Sequence, residues 1–343
     1  MRLKIGIISD KPQAEVKNTV EAKSADNQKE TTKEQICRVL SKRYDVVEIA
    51  ADDKIIEQLR KSNIDLAFPL CTGIIGESRQ SQVPAILEML EIPYVGSGIL
   101  AHALALNKTT AKQIFAYNNV STPAFQIFNT LHEKLDSTLK FPLIVKPACE
   151  GSGFGIHKDS VVYNEENLME KVKNLLRDYH PPVLVEEFIE GRELTVGVIG
   201  NDNEKTFLPI MEINFDDVPK EFGNFYTFEV KSKFGEKTKY ICPAQIHPKI
   251  SQTIKDTVEK AFDSLGCRDF ARVDIRLRED HPYILEINSL PGLKPKYSDL
   301  PKMALKAGLS YDDLLFKIVE ASIKRIRKYK DYVVTESLSE KTS

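Results

Sequence analysis

Four polar residues stand at alternate positions of two apolar runs late in the sequence: Arg272 and Asp274 in FARVDIR, Glu286 and Asn288 in YILEINSLPGLKPKY. Successive side chains of a strand point to opposite faces, so each pair shares one face of its own strand. If the two runs pair with those faces aligned, all four groups converge. Two carboxylates and an amide are hard oxygen donors, the kind that Mg²⁺ takes together with water and phosphate oxygens. One or two magnesium ions on a nucleotide is the chemistry such a set suits. A solvated strand face with an ion pair is the competing reading of the same residues.

Two further stretches carry groups suited to a nucleotide. In KPACEGSGFG a strand ends at Lys146, and Gly151, Gly153 and Gly155 follow in a turn able to offer backbone N–H groups to phosphates. The G-K-[ST] ending of a Walker loop is missing and the spacing is not G-x-G-x-x-G, so an ordinary glycine turn explains the stretch equally well. In VEEFIEGRE, Glu186 and Glu193 lie near the end and restart of adjacent strands, where carboxylates accept from an adenine amino group and ribose hydroxyls. Phe188 offers an apolar wall; a plain hairpin with exposed acids is the alternative. His102 lies among apolar helical residues and reads as a core histidine. Neither H-E-x-x-H nor G-x-S-x-G occurs, which leaves zinc-protease and serine-hydrolase chemistry unsupported.

The elements that must position these groups follow from periodicity. LKIGIIS, DVVEIA and IDLAFPL read as strands, with helices expected around 32–43 and in DDKIIEQLRK. That alternation argues a parallel sheet flanked by helices. VPAILEML, LAHALAL and KTTAKQIFAYN read as helices and IPYVGSG as a short strand and turn, before a boundary near 121–125. Beyond it the pattern changes. FPLIVKPA is a strand, NEENLMEKVKNLLRDY a helix, PVLVEEFI with GRELTVGVIG a hairpin, and KTFLPIMEINF another strand. The polar stretch 216–239 is too long for an ordinary connection and reads as a mobile functional loop. A helix in HPKISQTIKDTVEKAFDSLG, the two site strands and a terminal helix from LSYDDLLFK complete the order.

The chain has 343 residues, enough for two or three domains, and a formal net charge of −2, which gives no attraction to nucleic acid or an anionic membrane. Five scattered cysteines form no C-x-x-C pair and read as reduced core residues. The first residues fall short of a signal peptide and no apolar run is long enough to span a bilayer, so a cytoplasmic protein is expected.

Taken in order, IPYVGSGILAHALALNKTTAK, FPLIVKPACEGSGFGI, VLVEEFIEGRELTVGVIG, FYTFEVK, FARVDIR and LEINSLPG resemble the ATP-grasp superfamily, and within it the D-alanine-D-alanine ligase family. The resemblance covers most of the chain. It implies an α/β and α+β fold: an amino-terminal open parallel sheet over 1–122 with first-substrate contacts, then a two-lobed ATP-grasp fold. The central lobe is expected over 123–213, and the carboxy-terminal lobe, with the mobile loop and the metal site, over 214–343.

Carried over by position, the resemblance makes Lys108 and Lys146 phosphate-contacting lysines and Glu150, Gly151, Ser152, Gly153 and Gly155 parts of the loop over the phosphates. Glu186, Glu187, Phe188, Ile189 and Glu193 look like the adenine and ribose site. Asp274, Glu286 and Asn288 look like the ligands of two Mg²⁺ ions, with Mn²⁺ as substitute. Lys231 matches a loop lysine on the γ-phosphate; Arg272 and the Gly292 N–H match an oxyanion-stabilising pair. The implied reaction activates a carboxylate with ATP as an acyl phosphate, which an amine then attacks. The substrates are small and amino-acid-like, and the implied assembly is a homodimer.

Departures from the family pattern all lie on the amino-acid side. SDKPQAEVKNT stands where a glycine-rich turn with Ser and Glu is usual, leaving Glu15 as the counterpart of that glutamate. TGIIGESR stands for H-G-x-x-G-E-D-G: Thr72, Ser78 and Arg79 are changed and Glu77 is kept. LKPKYSDLP is one residue longer than usual, so either Tyr297 or Ser298 takes the place of the substrate-side serine. The leading expectation is a D-alanine-D-alanine ligase or close relative of cell-wall precursor synthesis. A D-alanine:hydroxy-acid ligase, another dipeptide ligase and a non-catalytic ATP-binding regulator are the alternatives.

Overall fold

The structure is a computed structural model that describes residues 2–10, 31–73, 76, 78–149, 155–179, 182–219, 225, 227, 230 and 237–339, with 330–339 as backbone only. Its amino-terminal part is a parallel sheet of three strands in the order β2-β1-β3: β1 Lys4–Asp10, β2 Asp45–Ala51 and β3 Leu66–Pro69. Ile5, Ile7 and Ile8 of the central strand are fully buried. Helix α1, over 31–40, covers the sheet with Ile36, Val39 and Leu40, the i, i+3, i+4 stripe expected of an amphipathic helix. Helices α2 (Ile55–Ser62) and α3 (Gln82–Met89) follow. The strand expected at IPYVGSG reduces to one bridge, Ala67 with Tyr94.

Helices α4 (Ile99–Leu106) and α5 (Lys108–Tyr117) meet at Asn107, whose side chain caps α5 by accepting from Thr110 N at 3.1 Å. Ala101, Ala105, Ala111 and Phe115 enter the core of the carboxy-terminal sheet, so both helices pack on that sheet.

Two antiparallel sheets form the rest. The first runs β4-β7-β5-β6, from β4 Phe125–Phe128, β5 Leu143–Pro147, β6 Val161–Val162 and β7 Val183–Glu187, backed by α6 (Glu165–Tyr179). The second runs β11-β10-β8-β12-β13, from β8 Arg192–Ile199, β10 Met211–Asn214, β11 Lys239–Ile241, β12 Phe270–Arg278 and β13 His281–Asn288, with β9 Thr206–Phe207 beside β8. Helix α7 (Pro248–Ser264) packs on it.

The hairpin expected from 183–199 is not formed. Strand β7 already has β4 and β5 on its two edges, and β8 pairs with β10 and β12, so the two runs enter different sheets. Hydrogen bonding thus divides the sheets between β7 and β8, whereas the lobe boundary read from the sequence falls at 213/214. The expected strand in KTFLPIMEINF is two strands, β9 and β10, separated by Leu208–Ile210, where Pro209 has no N–H for a ladder.

Helices α8 (Asp299–Lys306) and α9 (Tyr311–Ser339) join the amino-terminal and carboxy-terminal sheets through one core that includes Phe68, Phe270, Leu300 and Leu315. Asp269, with no exposed surface, ties the same junction: it accepts from Arg325 twice, at 2.9 and 2.8 Å, and from Gly96 N at 2.8 Å. No helix among the described residues is long and apolar enough to cross a membrane.

Candidate active site

Strands β12 and β13 pair in the register that brings the four polar groups together. Arg272 lies opposite Asn288, and Asp274 opposite Glu286, before a register shift between Asp274 and Ile275. Asp274 is held from three sides. Its Oδ1 accepts from Arg272 Nε at 2.9 Å and Thr195 Oγ1 at 2.7 Å. Its Oδ2 accepts from Arg272 Nη2 at 2.7 Å and Asn288 Nδ2 at 2.9 Å. Thr195 reaches it because β8 pairs with β12 there, Asp274 opposite Thr195.

Glu286 has fewer donors: Lys108 Nζ at 3.2 Å and, at the 3.5 Å limit, Asn288 Nδ2. Lys108 opens helix α5 and donates its own N–H to Ala148 O at 3.0 Å, which ties the start of the helix to the chain just after β5. Burial works to raise the Glu286 pKa, but the charges of Lys108, Lys146 and Arg272 prevail and hold it down to about 2. Asp274, Asp299 and Glu286 hold the Arg272 guanidinium well above its ordinary value, although burial alone would lower it.

No cluster of three or more His, Cys, Asp and Glu side chains among the described residues forms a self-sufficient metal cage. Asp274, Glu286 and Asn288 instead offer two carboxylates and one amide. That fits Mg²⁺, which completes its shell with water and phosphate oxygens rather than with protein alone. Glu286, ionised and lightly donated to, is the readier ligand of the two carboxylates.

The neighbouring sheet brings residues expected on the nucleotide side to the same place. Lys146, buried on β5, pairs with Glu186 Oε1, and Glu186 is 1% exposed. Glu186 Oε2 lies 2.7 Å from Lys112 Nζ yet outside hydrogen-bonding angles, leaving a buried acceptor with no hydrogen bond. Glu187 pairs with Arg278 at 2.8 Å, and Ile189 is buried. Phe188 stacks edge-on against Phe225 at 5.4 Å and lies under Arg276 at 5.2 Å. Glu193 receives Arg276 Nη2 at 3.2 Å, its cross-strand neighbour. Lys112, Arg276 and Thr195 went unnoticed in the sequence; the NKTTAK spacing, two lysines four apart on one helix face, was the available signal for Lys112.

After β13, Gly292 and Ser298 face one another: a Cβ on Gly292 would come 2.7 Å from Ser298 Oγ. Ser298 Oγ also accepts from Lys294 N at 3.1 Å, whereas Tyr297 is 49% exposed. Of Tyr297 and Ser298 it is therefore Ser298 that adjoins the Pro-Gly turn. Lys294 Nζ lies 5.4 Å from the Tyr297 ring. Thr72 donates its N–H and its hydroxyl to Asp10 Oδ2, both at 2.8 Å, at the carboxyl end of β1. Gly155 has φ +76°, and a Cβ there would come 2.4 Å from Pro147 Cγ, so the turn after β5 requires glycine. Glu15, Glu77, Glu150, Gly151, Ser152, Gly153 and Lys231 lie outside the described residues.

Comparison with known proteins points to one family. The family model described as D-ala D-ala ligase C-terminus matches residues 111–320. The D-alanine-D-alanine ligase of Carboxydothermus hydrogenoformans is 38% identical over 300 residues, covering 84% of this chain and 91% of that protein. The enzyme of the same name from Syntrophotalea carbinolica is 36% identical over 283 residues, covering 82% and 87%. The crystal structure of D-alanine-D-alanine ligase from Bacillus anthracis complexed with ATP superposes with a TM-score of 0.73 at 25% identity, covering 96% of this chain and 99% of that one. With its family model, these relatives and the shared fold in agreement, the chain belongs to the D-alanine-D-alanine ligase family.

Proposed function

We propose that the protein is an ATP-dependent ligase that joins two small amino-acid-like substrates, of the D-alanine-D-alanine ligase type, serving cell-wall precursor synthesis. The observation that carries this reading is the convergence of Arg272, Asp274, Glu286 and Asn288 on one face beside Lys108, with Lys146 and Glu186 adjoining. ATP enters as a substrate, its adenine and ribose received by Glu186, Glu187, Phe188, Ile189 and Glu193. Asp274, Glu286 and Asn288 would hold a divalent cation, which would supply charge neutralisation at the transferring phosphoryl group. Lys108 and Lys146 add fixed positive charge on the same side.

The first substrate's carboxylate oxygen takes the γ-phosphoryl group as the bond to ADP breaks; the amine of the second then attacks the activated carbonyl carbon, loses a proton, and the acyl C–O bond breaks to release phosphate. During that attack negative charge develops on the carbonyl oxygen, where Arg272 and the Gly292 N–H act as donors; loss of one such donor typically costs ~10²–10³ in rate. Lys231 and the glycine loop at 150–155 would complete the phosphate side and keep water from the acyl phosphate. Glu15, Glu77 and Ser298 are proposed substrate contacts, with Tyr297 at the rim. The family resemblance supports two metal ions, a homodimer, and a cytoplasmic place of work.

The test is a panel of D- and L-amino acids and D-hydroxy acids incubated with purified protein and Mg-ATP. Phosphate release is followed, and products are weighed by mass spectrometry. A dipeptide mass with stoichiometric phosphate is expected, and a depsipeptide mass would reassign the second substrate to a hydroxy acid. Nucleotide binding without phosphate release from any member of the panel would favour a regulator over a ligase.

A further inference from the structure

Helix α5 carries two buried lysines one turn apart, and they reach into different sheets. Lys108 meets Glu286 on β13, while Lys112, with no exposed surface, meets Glu186 on β7 at 2.7 Å. Lys112 Nζ also donates to Thr122 Oγ1 at 2.7 Å, and that hydroxyl donates to Ile284 O of β13 at 2.8 Å. The ammonium is therefore fixed to the backbone of one sheet while it neutralises a carboxylate of the other. Glu186 lies inside its sheet, opposite Phe125 of β4 and Ile144 of β5, and the Phe125 ring stands 5.9 Å from Lys112 Nζ.

Two cations on one buried carboxylate is an uneven count. An ionised carboxylate in such a place is costly when unpaired, and removal of a sole partner destabilises strongly. One lysine suffices to keep Glu186 charged, so the second is available for another anion. Lys146, at the end of β5 and near enough to lower the Glu286 pKa, is the one that lies toward the phosphate side.

We propose that Lys112 is a positioning residue for base recognition: it stays with Glu186 as resident counter-ion, so that Lys146 can leave Glu186 for the nucleotide phosphates. The oxygen that Lys146 vacates then serves as a charged acceptor for the adenine amino group, an inference that rests on reading Glu186 as the adenine contact. Burial pushes the Lys112 pKa down to about 8; Glu186 opposes that shift and Lys146 adds to it, with Glu286 the other acid in range. At neutral pH Lys112 thus remains a cation. Burial would raise the Glu186 pKa, but Lys112 and Lys146 lower it, which keeps the acceptor ionised. Without Lys112, departure of Lys146 would drive a proton onto Glu186. The carboxyl would then present an O–H donor, which suits a 6-oxo purine better than a 6-amino one.

The experiment is calorimetric titration of the full chain with Mg-ATP and Mg-ITP, which differ at the position Glu186 would read. Wild type is expected to prefer ATP by about tenfold or more, as for a hydrogen bond to a charged acceptor. Lys112→Met should bring the ATP/ITP affinity ratio down at least fivefold, toward unity, and Glu186→Gln should do the same. If Lys112→Met does not fold, Lys112→Gln, which keeps a donor for Thr122 but no charge, carries the same expectation. A Lys112 variant that is folded yet keeps the wild-type ratio, beside a Glu186→Gln protein that loses it, would make Lys112 a packing residue and overturn the proposal. A wild type without base preference, or a Glu186→Gln protein with the wild-type ratio, would overturn the adenine reading of Glu186 and the proposal with it.

Discussion

Asp274 and Glu286 face each other across two paired strands, yet their surroundings assign them different work. Asp274 is clasped by Arg272, Thr195 and Asn288, four donated bonds that fix its plane; Glu286 accepts chiefly from Lys108. A carboxylate whose lone pairs are mostly taken orients its neighbours, and one with few donors, kept ionised by nearby cations, is better placed to bind a metal. Glu286→Gln keeps shape and removes charge. It is expected to lower phosphoryl transfer by at least ~10²-fold, the scale of losing one charge-stabilising group, with far-UV dichroism unchanged. Steady-state phosphate release checks it, and unchanged turnover would remove Glu286 from the metal site.

Helix α4 shows how an element holds the site strands from behind. His102, buried on its inner face, hydrogen-bonds Ser289 Oγ at 2.8 Å, immediately after the last residue of β13. Burial, then the charge of Arg268, pushes its pKa down to about 4, against a hydrogen bond to the Ser97 backbone that favours the protonated ring. The folded protein therefore binds fewer protons at His102 than the unfolded chain, whose histidine titrates near 6.5. The sign follows: stability from this group is intact above pH 6.5 and is lost as pH falls toward 4, by at most about 3 kcal/mol. Urea unfolding of wild type and His102→Gln checks it. Between pH 7 and pH 5 the stability difference between them should shrink by about 2 kcal/mol, and parallel pH slopes would contradict the assignment. The reading of His102 as a satisfied core residue was available from its apolar neighbours, because a helix face repeats every three to four residues. Its depressed titration was not, since Arg268 and Ser289 reach it only through the fold.

At the scale of the molecule, the site lies where helix α5 and two antiparallel sheets meet, and this explains which parts were legible. The alternation Arg272-x-Asp274 and Glu286-x-Asn288 is local, so strand geometry alone placed each pair on one face, and the register then aligned them. The apolar stripe of α1 and the parallel amino-terminal sheet were likewise written in periodicity. Strand pairing between distant segments was not. Residues 183–187 and 192–199 adjoin in sequence and suggest a hairpin, but which edge of a strand is free depends on partners far along the chain. Lys112 escaped for the same reason: its acid lies in another sheet, 74 residues on.

These contacts gather around one chemical claim, that a substrate carboxylate attacks the γ-phosphate before the new bond forms. It is tested most directly with the first substrate labelled with ¹⁸O in its carboxylate, by mass analysis of the phosphate released during ligation. The account predicts one labelled oxygen in each phosphate, carried over when the acyl phosphate breaks; phosphate without label, at full product yield, would contradict it.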